Sequence, residues 1–459
     1  MVDFANDDAL LGVVGAGAMG QGIAQVALQG GLRVVLHDAR SGGAAEGAKK
    51  VLGRLERLVE KGQLAANDMA EVRDRLALAE DLAAFAECDA VVEAVVEDLE
   101  VKRGLFKELE AIVRPDCLLA SNTSSLPIAS IASACERRDR IAGMHFFNPV
   151  PLMRLVEIIR SLDTAEATAE ALVALGRRMG RTPVLVADSP GFLVNLGGRA
   201  FTTEALRLLQ EGVASPAQID AILKDCGGFR MGAFELMDLT GMDVNYPVSR
   251  IVFEAFQNDP RLKTTPYHKL LVDAGRLGRK TGVGHYRYDA NGRMIDPPSP
   301  DHATDAVPAA RAFVPEVEER LVALDLTGDT SRRVTVMTAP GADPAARDSV
   351  AAALGRSGRQ VTAIKDSPGF VLQRVRAMIA NLGMEMAQTG LAAPADIDLA
   401  MRLGLNYPKG PFALADEMGA ATTLRIMQQL HTLTGDDRYR PSLWLRRRAL
   451  LNLPADTPP

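Results

Sequence analysis

Short apolar runs alternate with helical periodicity through the first part of the chain. Residues 10–14 read as a strand, 21–29 as a helix stopped by Gly30 and Gly31, and 33–37 as a second strand. The stretch 41–80 has helical periodicity and many charges, which predicts an amphipathic helical hairpin inserted after the second strand. Further strands are expected at 88–95 and 117–120, and a helix at 128–134 behind Pro127. Residues 140–144 form a strand ending at His145, and 154–159 form another that carries Glu157. This alternation predicts an α/β domain built on an open parallel sheet.

The turn after the first strand is Gly15-Ala-Gly17-Ala-Met19-Gly20. Gly15 permits a tight turn, Gly17 lets the backbone approach a pyrophosphate, and Gly20 lets helix and strand pack closely. Strand, glycine turn and helix come in the order of a Rossmann-type dinucleotide site, with Gly15, Gly17, Met19 and Gly20 against the cofactor. Asp38 closes the second strand at about the distance where an acid bonds the adenosine ribose, which favours NAD over NADP. Arg40, two residues on, weakens that preference. The later strands end near Glu97 and at Ser121-Asn122-Thr123-Ser124-Ser125, so polar residues gather at the carboxyl ends of strands, where open sheets bind ligands. A Ser/Thr/Asn cluster is equally a turn or a helix cap, and that alternative stands for Ser125.

If the strands ending at His145 and carrying Glu157 pair, the two side chains meet. A histidine steadied by a buried acid accepts a proton at neutral pH, as oxidation of an alcohol by a nicotinamide requires.

Composition narrows the field. The chain has 459 residues, enough for two or three domains, with 47% hydrophobic and 24% charged positions and no apolar run near the ~20 residues of a membrane span. A net charge of -6 argues against nucleic acid as a partner. Cys88, Cys117, Cys135 and Cys226 lack metal-type spacing and read as reduced thiols of a cytoplasmic protein, with no metal expected. Residues 1–8 are acidic and polar, unlike a secretory signal or transit peptide. Lys49, Lys50, Arg54, Arg57 and Lys61 are either a solvated helix face or a patch that steers an anionic carrier.

The second part repeats the first. Asp188-Ser-Pro-Gly-Phe192 recurs as Asp366-Ser-Pro-Gly-Phe370, an offset of 178 that also relates Gly212 to Gly390, Asp220 to Asp398, Phe234 to Phe412 and Asp238 to Asp416. A duplicated helical domain follows. At this offset Glu157 falls on Thr335 and Asn195 on Gln373, and no glycine fingerprint precedes the second copy. It is expected to be catalytically silent. Residues 289–315, with Asn-Gly, Pro-Pro and Ser-Pro, read as an exposed linker.

The fingerprint at 15–20, the Ser-Asn-Thr-Ser-Ser run, His145-Phe-Phe-Asn148-Pro149, Glu157, Asp188 to Asn195 and Gly278-Arg-Lys280-Thr-Gly282 together resemble the motif series of the (S)-3-hydroxyacyl-CoA dehydrogenases. The likeness covers residues 10–290 in the family's order. It implies NAD as cofactor and an acyl-CoA as substrate. By this resemblance His145 is the general base, Glu157 holds its ring, Ser124 bonds the reacting oxygen and Asn195 positions the thioester end. Glu97, Lys102, Asn122, Asn148 and Lys280 are implied around the cofactor. One departure stands out: the family usually places an arginine after Asn195, whereas this chain has Leu196-Gly197-Gly198 before Arg199.

The organisation expected is a Rossmann-type domain at 1–187, helical domains at 188–290 and 331–459, and a linker at 291–330, the second helical copy having a short strand-like lead-in. The layout resembles longer bacterial members that act on 3-hydroxyadipyl-CoA. A dicarboxylic substrate needs a cation in the acyl pocket, for which Arg199 and Arg230 are candidates, each equally a packing or surface arginine. Single-copy members of the family dimerise through the helical domain, so the second copy implies an internal pseudo-dimer, with or without further homo-oligomerisation. The rival expectations are a hydroxy-acid dehydrogenase that does not use CoA and a silent NAD-binding protein.

Overall fold

The computed structural model describes residues 4, 6, 8–295, 297–302 and 322–458. Most of the N-terminal stretch 1–8 and the centre of the predicted linker lie outside the described residues. Contacts divide the chain into two units, 1–194 with 390–404, and 195–389 with 405–459.

The first unit is built on eight strands, β1 (Leu10–Val14), β2 (Arg33–His37), β3 (Leu76–Ala79), β4 (Ala90–Glu93), β5 (Leu118–Ser121), β6 (Ile141–Phe146), β7 (Leu155–Arg160) and β8 (Thr182–Ala187), in the order 3-2-1-4-5-6-7-8. The first six run parallel in the dinucleotide-binding order, β7 reverses against β6, and β8 follows β7. β4, β5 and β6 are buried along their whole length, which is why they read as unbroken apolar runs and not as alternating ones. Helix α1 (Ala18–Gln29) covers the sheet with Ile23, Val26 and Ala27.

One element corrects the sequence reading. The region 41–80 contains helices Gly43–Glu60 and Ala66–Asp74 but ends in β3, which pairs parallel with β2. The run Leu76-Ala-Leu-Ala79 has no β-branched residue and leaves Leu78 exposed, so backbone pairing at the sheet edge, with Leu76 against the core and Ala79 buried, makes it a strand.

A segment of the second copy completes this unit. Ala187 N–H donates to the Leu391 carbonyl at 2.7 Å, and Gly404 packs so close to Leu155 and Val194 that a Cβ would come within 2.8 Å of Val194 Cγ2.

The second unit contains the first copy's helices from Arg199–Gln210 to Pro266–Asp273 and most of the second copy. It also holds a three-stranded sheet of Val322–Asp325, Arg333–Thr338 and Gln360–Ile364, with helix Pro344–Gly355 on it. At the offset of 178 the last two strands fall on β7 and β8, so the duplication begins earlier than the repeated motifs indicate. Lys365 N–H donates to the Val213 carbonyl at 2.9 Å, the same bond at the same offset as Ala187 to Leu391 with the copies exchanged. This reciprocity is what an isologous pairing requires. Within the unit the equivalent helices Arg199–Gln210 and Leu372–Gln388 pack together around fully buried Arg374, which pairs with Glu204 at 2.8 Å and Glu211 at 2.7 Å. In the described part of the predicted linker, Met294–Ile295 pairs with Arg287–Tyr288, and Asp301 reaches Arg333 at 2.6 Å.

Candidate active site

The glycine turn is shaped as its sequence requires. Gly15 has a φ of 101° and sits where a Cβ would strike the Ala94 carbonyl, and a Cβ on Gly20 would overlap the Gly15 carbonyl. At Gly17 a Cβ meets nothing within 4 Å. That open space lies at the start of the twelve-residue helix α1, where backbone N–H groups and the helix dipole favour phosphate, so these residues fit a dinucleotide. Met19 is half-buried against the core. Asp38 accepts from Ala16 N–H at 2.7 Å and Arg40 N–H at 3.0 Å, which fixes its carboxylate at the end of β2. The Arg40 side chain is largely exposed and 4.0 Å from Asp38.

Along β4 and the helix Leu99–Ile112 runs a chain of charges that sequence reasoning caught only in part. Lys102, 1% exposed, places its ammonium 2.5 Å from Glu93 and 3.4 Å from Glu97. Glu93, fully buried, also accepts from Ser121 Oγ at 2.6 Å and Val95 N–H at 2.7 Å. Glu97 Oε1 gathers the next turn, accepting from Thr123 Oγ1 at 2.6 Å, Ser125 Oγ at 2.9 Å and the N–H groups of Ser124 and Ser125 at 3.1 Å. Burial pushes the Glu97 carboxyl up, but the bonds from Thr123, Ser125 and Ser124 and the charge of Lys102 outweigh it and hold it below the usual carboxylate range. Ser124 itself is exposed. Asn122 Oδ1 accepts from Phe146 N–H at 2.8 Å, tying the ends of β5 and β6, while Asn148 is exposed.

His145 and Glu157 are cross-strand partners in the β6–β7 register, with His145 Nδ1 2.7 Å from Glu157 Oε2. Glu157 is fully buried, and its other oxygen accepts from Leu193 N–H at 3.1 Å and Val194 N–H at 2.8 Å. Those N–H groups follow Phe192, whose φ of 47° is unusual for a side-chain-bearing residue. The Asp188 to Asn195 motif thus serves partly to aim two backbone donors at Glu157. Because Nδ1 faces the carboxylate, it carries the proton and Nε2 is left as acceptor. Phe147 and Phe192 pack on the imidazole with ring centroids 4.4 Å and 5.8 Å away.

In the second unit, Asn195 lies in a short helix, Val194–Gly197, and the backbone stays right-handed through Gly198 into the helix Arg199–Gln210. Its carbonyl accepts from Arg199 Nε at 3.0 Å, so the displaced arginine supports the turn. Lys280 pairs with Asp243 at 2.6 Å. Arg230 is exposed in the loop before helix Ala233–Thr240, whereas Arg199 is buried.

A dinucleotide-binding sheet with a histidine near the carboxyl end of its sixth strand, steadied by a buried acid, defines a nicotinamide-dependent dehydrogenase of alcohols. Comparison with known proteins gives the family. The 3-hydroxyacyl-CoA dehydrogenase NAD-binding domain matches residues 10–189, and the C-terminal domain of the same family matches twice, at 191–288 and 369–455. The chain belongs to the NAD-dependent 3-hydroxyacyl-CoA dehydrogenases. It is 37% identical over 462 residues to 3-hydroxyadipyl-CoA dehydrogenase of Escherichia coli (strain K12), covering 96% of this chain and 97% of that one. The solved 3-hydroxybutyryl-CoA dehydrogenase from Escherichia coli K12 superimposes with a TM-score of 0.89 at 36% identity, over 97% of this chain and 98% of that chain. The (S)-3-hydroxybutyryl-CoA dehydrogenase from Ralstonia eutropha, with a TM-score of 0.59 and 38% identity, covers 61% of this chain and 99% of its own. Among the described residues no helix is long and apolar enough to cross a membrane.

Proposed function

We propose that the protein interconverts an (S)-3-hydroxyacyl-CoA and its 3-oxoacyl-CoA, with a short or dicarboxylic acyl group such as 3-hydroxybutyryl or 3-hydroxyadipyl. Bound NAD supplies the hydride acceptor. His145 Nε2 takes the 3-hydroxyl proton, and Glu157 offsets the charge that forms on the imidazole. Ser124 bonds the reacting oxygen, and Asn195 orients the thioester end. Gly15, Gly17, Met19, Gly20 and Asp38 hold the dinucleotide, while Glu97, Lys102, Asn122, Asn148 and Lys280 border it. In reverse, the imidazolium returns the proton to the substrate oxygen.

The single observation that carries this reading is the 2.7 Å contact between His145 and a Glu157 fixed by two backbone donors. A dehydrogenase of free hydroxy acids would turn over 3-hydroxybutyrate as well as its CoA thioester. We expect NADH formation from 3-hydroxybutyryl-CoA and none from the free acid; equal rates would reject a CoA-dependent site. The four buried, free cysteines suit a reducing cytoplasm. Helices Arg199–Gln210 and Leu372–Gln388 supply within one chain the pairing that single-copy relatives would need from a second subunit.

A further inference from the structure

Arg199 is a buried cation with no counter-ion among the described residues. Of its five N–H donors, Nε meets the Asn195 carbonyl at 3.0 Å and Nη1 meets Ser249 Oγ at 2.7 Å. Among the described residues no carboxylate pairs with it, and burial pushes its guanidinium down to about 10, still charged at neutral pH. A guanidinium taken out of water without an anion is a costly arrangement.

Its surroundings repeat the pattern. Tyr407, 5% exposed, has no partner for its hydroxyl among the described residues, and neither has Nε2 of His268, 1% exposed. Thr264 Oγ1 lies 2.9 Å from His268 Nδ1, so when that hydroxyl donates, the imidazole carries its proton on Nε2. Burial, then the nearby charge of Arg199, hold His268 down to about 3, which keeps the ring neutral. Burial raises the Tyr407 phenol while Arg199 draws it back, so the hydroxyl remains protonated. An arginine, a phenol and, in that tautomer, an imidazole N–H, all buried, are donors of the kind that a carboxylate takes.

We propose that Arg199, with the Tyr407 hydroxyl and His268 Nε2, forms a buried anion site that receives the terminal carboxylate of a dicarboxylic 3-hydroxyacyl-CoA. The inference rests on the function proposed above, with Asn195 at the thioester end. Five extended carbon–carbon bonds, about 6 Å, separate the thioester carbon from the far carboxylate of a six-carbon chain, and Arg199, bonded to the Asn195 carbonyl at 3.0 Å, lies within that reach of Asn195. A four-carbon monocarboxylic chain stops short and leaves the cation unanswered.

The test compares kcat/KM for 3-hydroxyadipyl-CoA and 3-hydroxybutyryl-CoA. The wild type should favour the dicarboxylic substrate. Arg199→Met should lower the adipyl-to-butyryl ratio by at least about 100-fold, and Arg199→Lys, which keeps the charge, by less. Tyr407→Phe removes a hydroxyl that bonds no other described residue, so it should fold normally and still lower the ratio about 10-fold. It decides the matter if Arg199→Met does not fold. A ratio unmoved by Tyr407→Phe and by folded Arg199→Met, or a wild type that oxidises the butyryl substrate with no preference for adipyl, overturns the anion site alone. A wild type that oxidises neither thioester overturns the proposed function itself.

Discussion

Thr335 stands opposite Asp325 in the small sheet of the second unit, at the paired positions that Glu157 and His145 hold in the large one. Gln373, at the offset position of Asn195, donates to Asp325 at 3.0 Å. The positions of His145, Glu157 and Asn195 are thus taken in the second copy by Asp, Thr and Gln. A carboxylate accepting hydrogen bonds has no proton-accepting role for an alcohol beside a threonine. Replacing Asp325 with asparagine should therefore leave kcat for 3-hydroxybutyryl-CoA within about twofold of wild type, well short of the 10²-fold or more that general acid–base groups contribute. A loss of that larger size would assign the second copy a share of the chemistry.

Glu157→Gln keeps the volume of the side chain but removes its charge. The amide cannot offset a developing imidazolium and presents one acceptor where two are used. We expect kcat to fall by about 10²- to 10⁴-fold, with the dissociation constant for NADH nearly unchanged in a fluorescence titration. Weaker NADH binding at an unchanged kcat would place Glu157 in cofactor binding.

The buried Glu93–Lys102 pair predicts an asymmetric stability response. Lys102→Met leaves Glu93 as an uncompensated interior charge and should cost about 3–5 kcal/mol, whereas Glu93→Gln with Lys102→Met should recover much of the loss. Thermal unfolding of the two variants and the wild type measures this. A double variant as unstable as the single one would show that the pair does more than neutralise itself.

The chain of residues also explains which parts of the site were legible. The glycine turn, Asp38 and the meeting of His145 with Glu157 follow from local order, because each lies at the end of a short apolar strand. Glu93 does not, since it ends β4 like any residue closing a buried strand, and its partner Lys102 sits in the helix that follows. The role of Phe192 was equally hidden: its positive φ, repeated at Phe370 with 52°, belongs to a motif that the sequence marks but does not explain. β3 was read as helix because alanine and leucine carry no strand preference of their own. The reciprocal bonds Ala187–Leu391 and Lys365–Val213 join residues more than 150 positions apart, beyond the reach of periodicity.

Glu97 makes a prediction in pH. Its carboxyl is held below the usual range, so the native state favours the ionised form. That stabilisation is fully present above the unfolded value, about pH 4 to 5, and is lost as pH falls through the folded one. The difference in Tm between wild type and Glu97→Gln should be largest above about pH 5 and shrink at lower pH. A difference that stays constant down to pH 3 would remove Glu97 from the linkage and leave the 123–125 turn held by other bonds.

In the proposed reaction the His145 imidazole, not the scaffold around it, moves the proton. Single-turnover formation of NADH from 3-hydroxybutyryl-CoA, measured in His145→Ala beside wild type, tests it directly. The rate constant should fall by about 10³-fold or more while NADH still binds with nearly wild-type affinity. A rate within tenfold of wild type, with binding intact, would contradict the account.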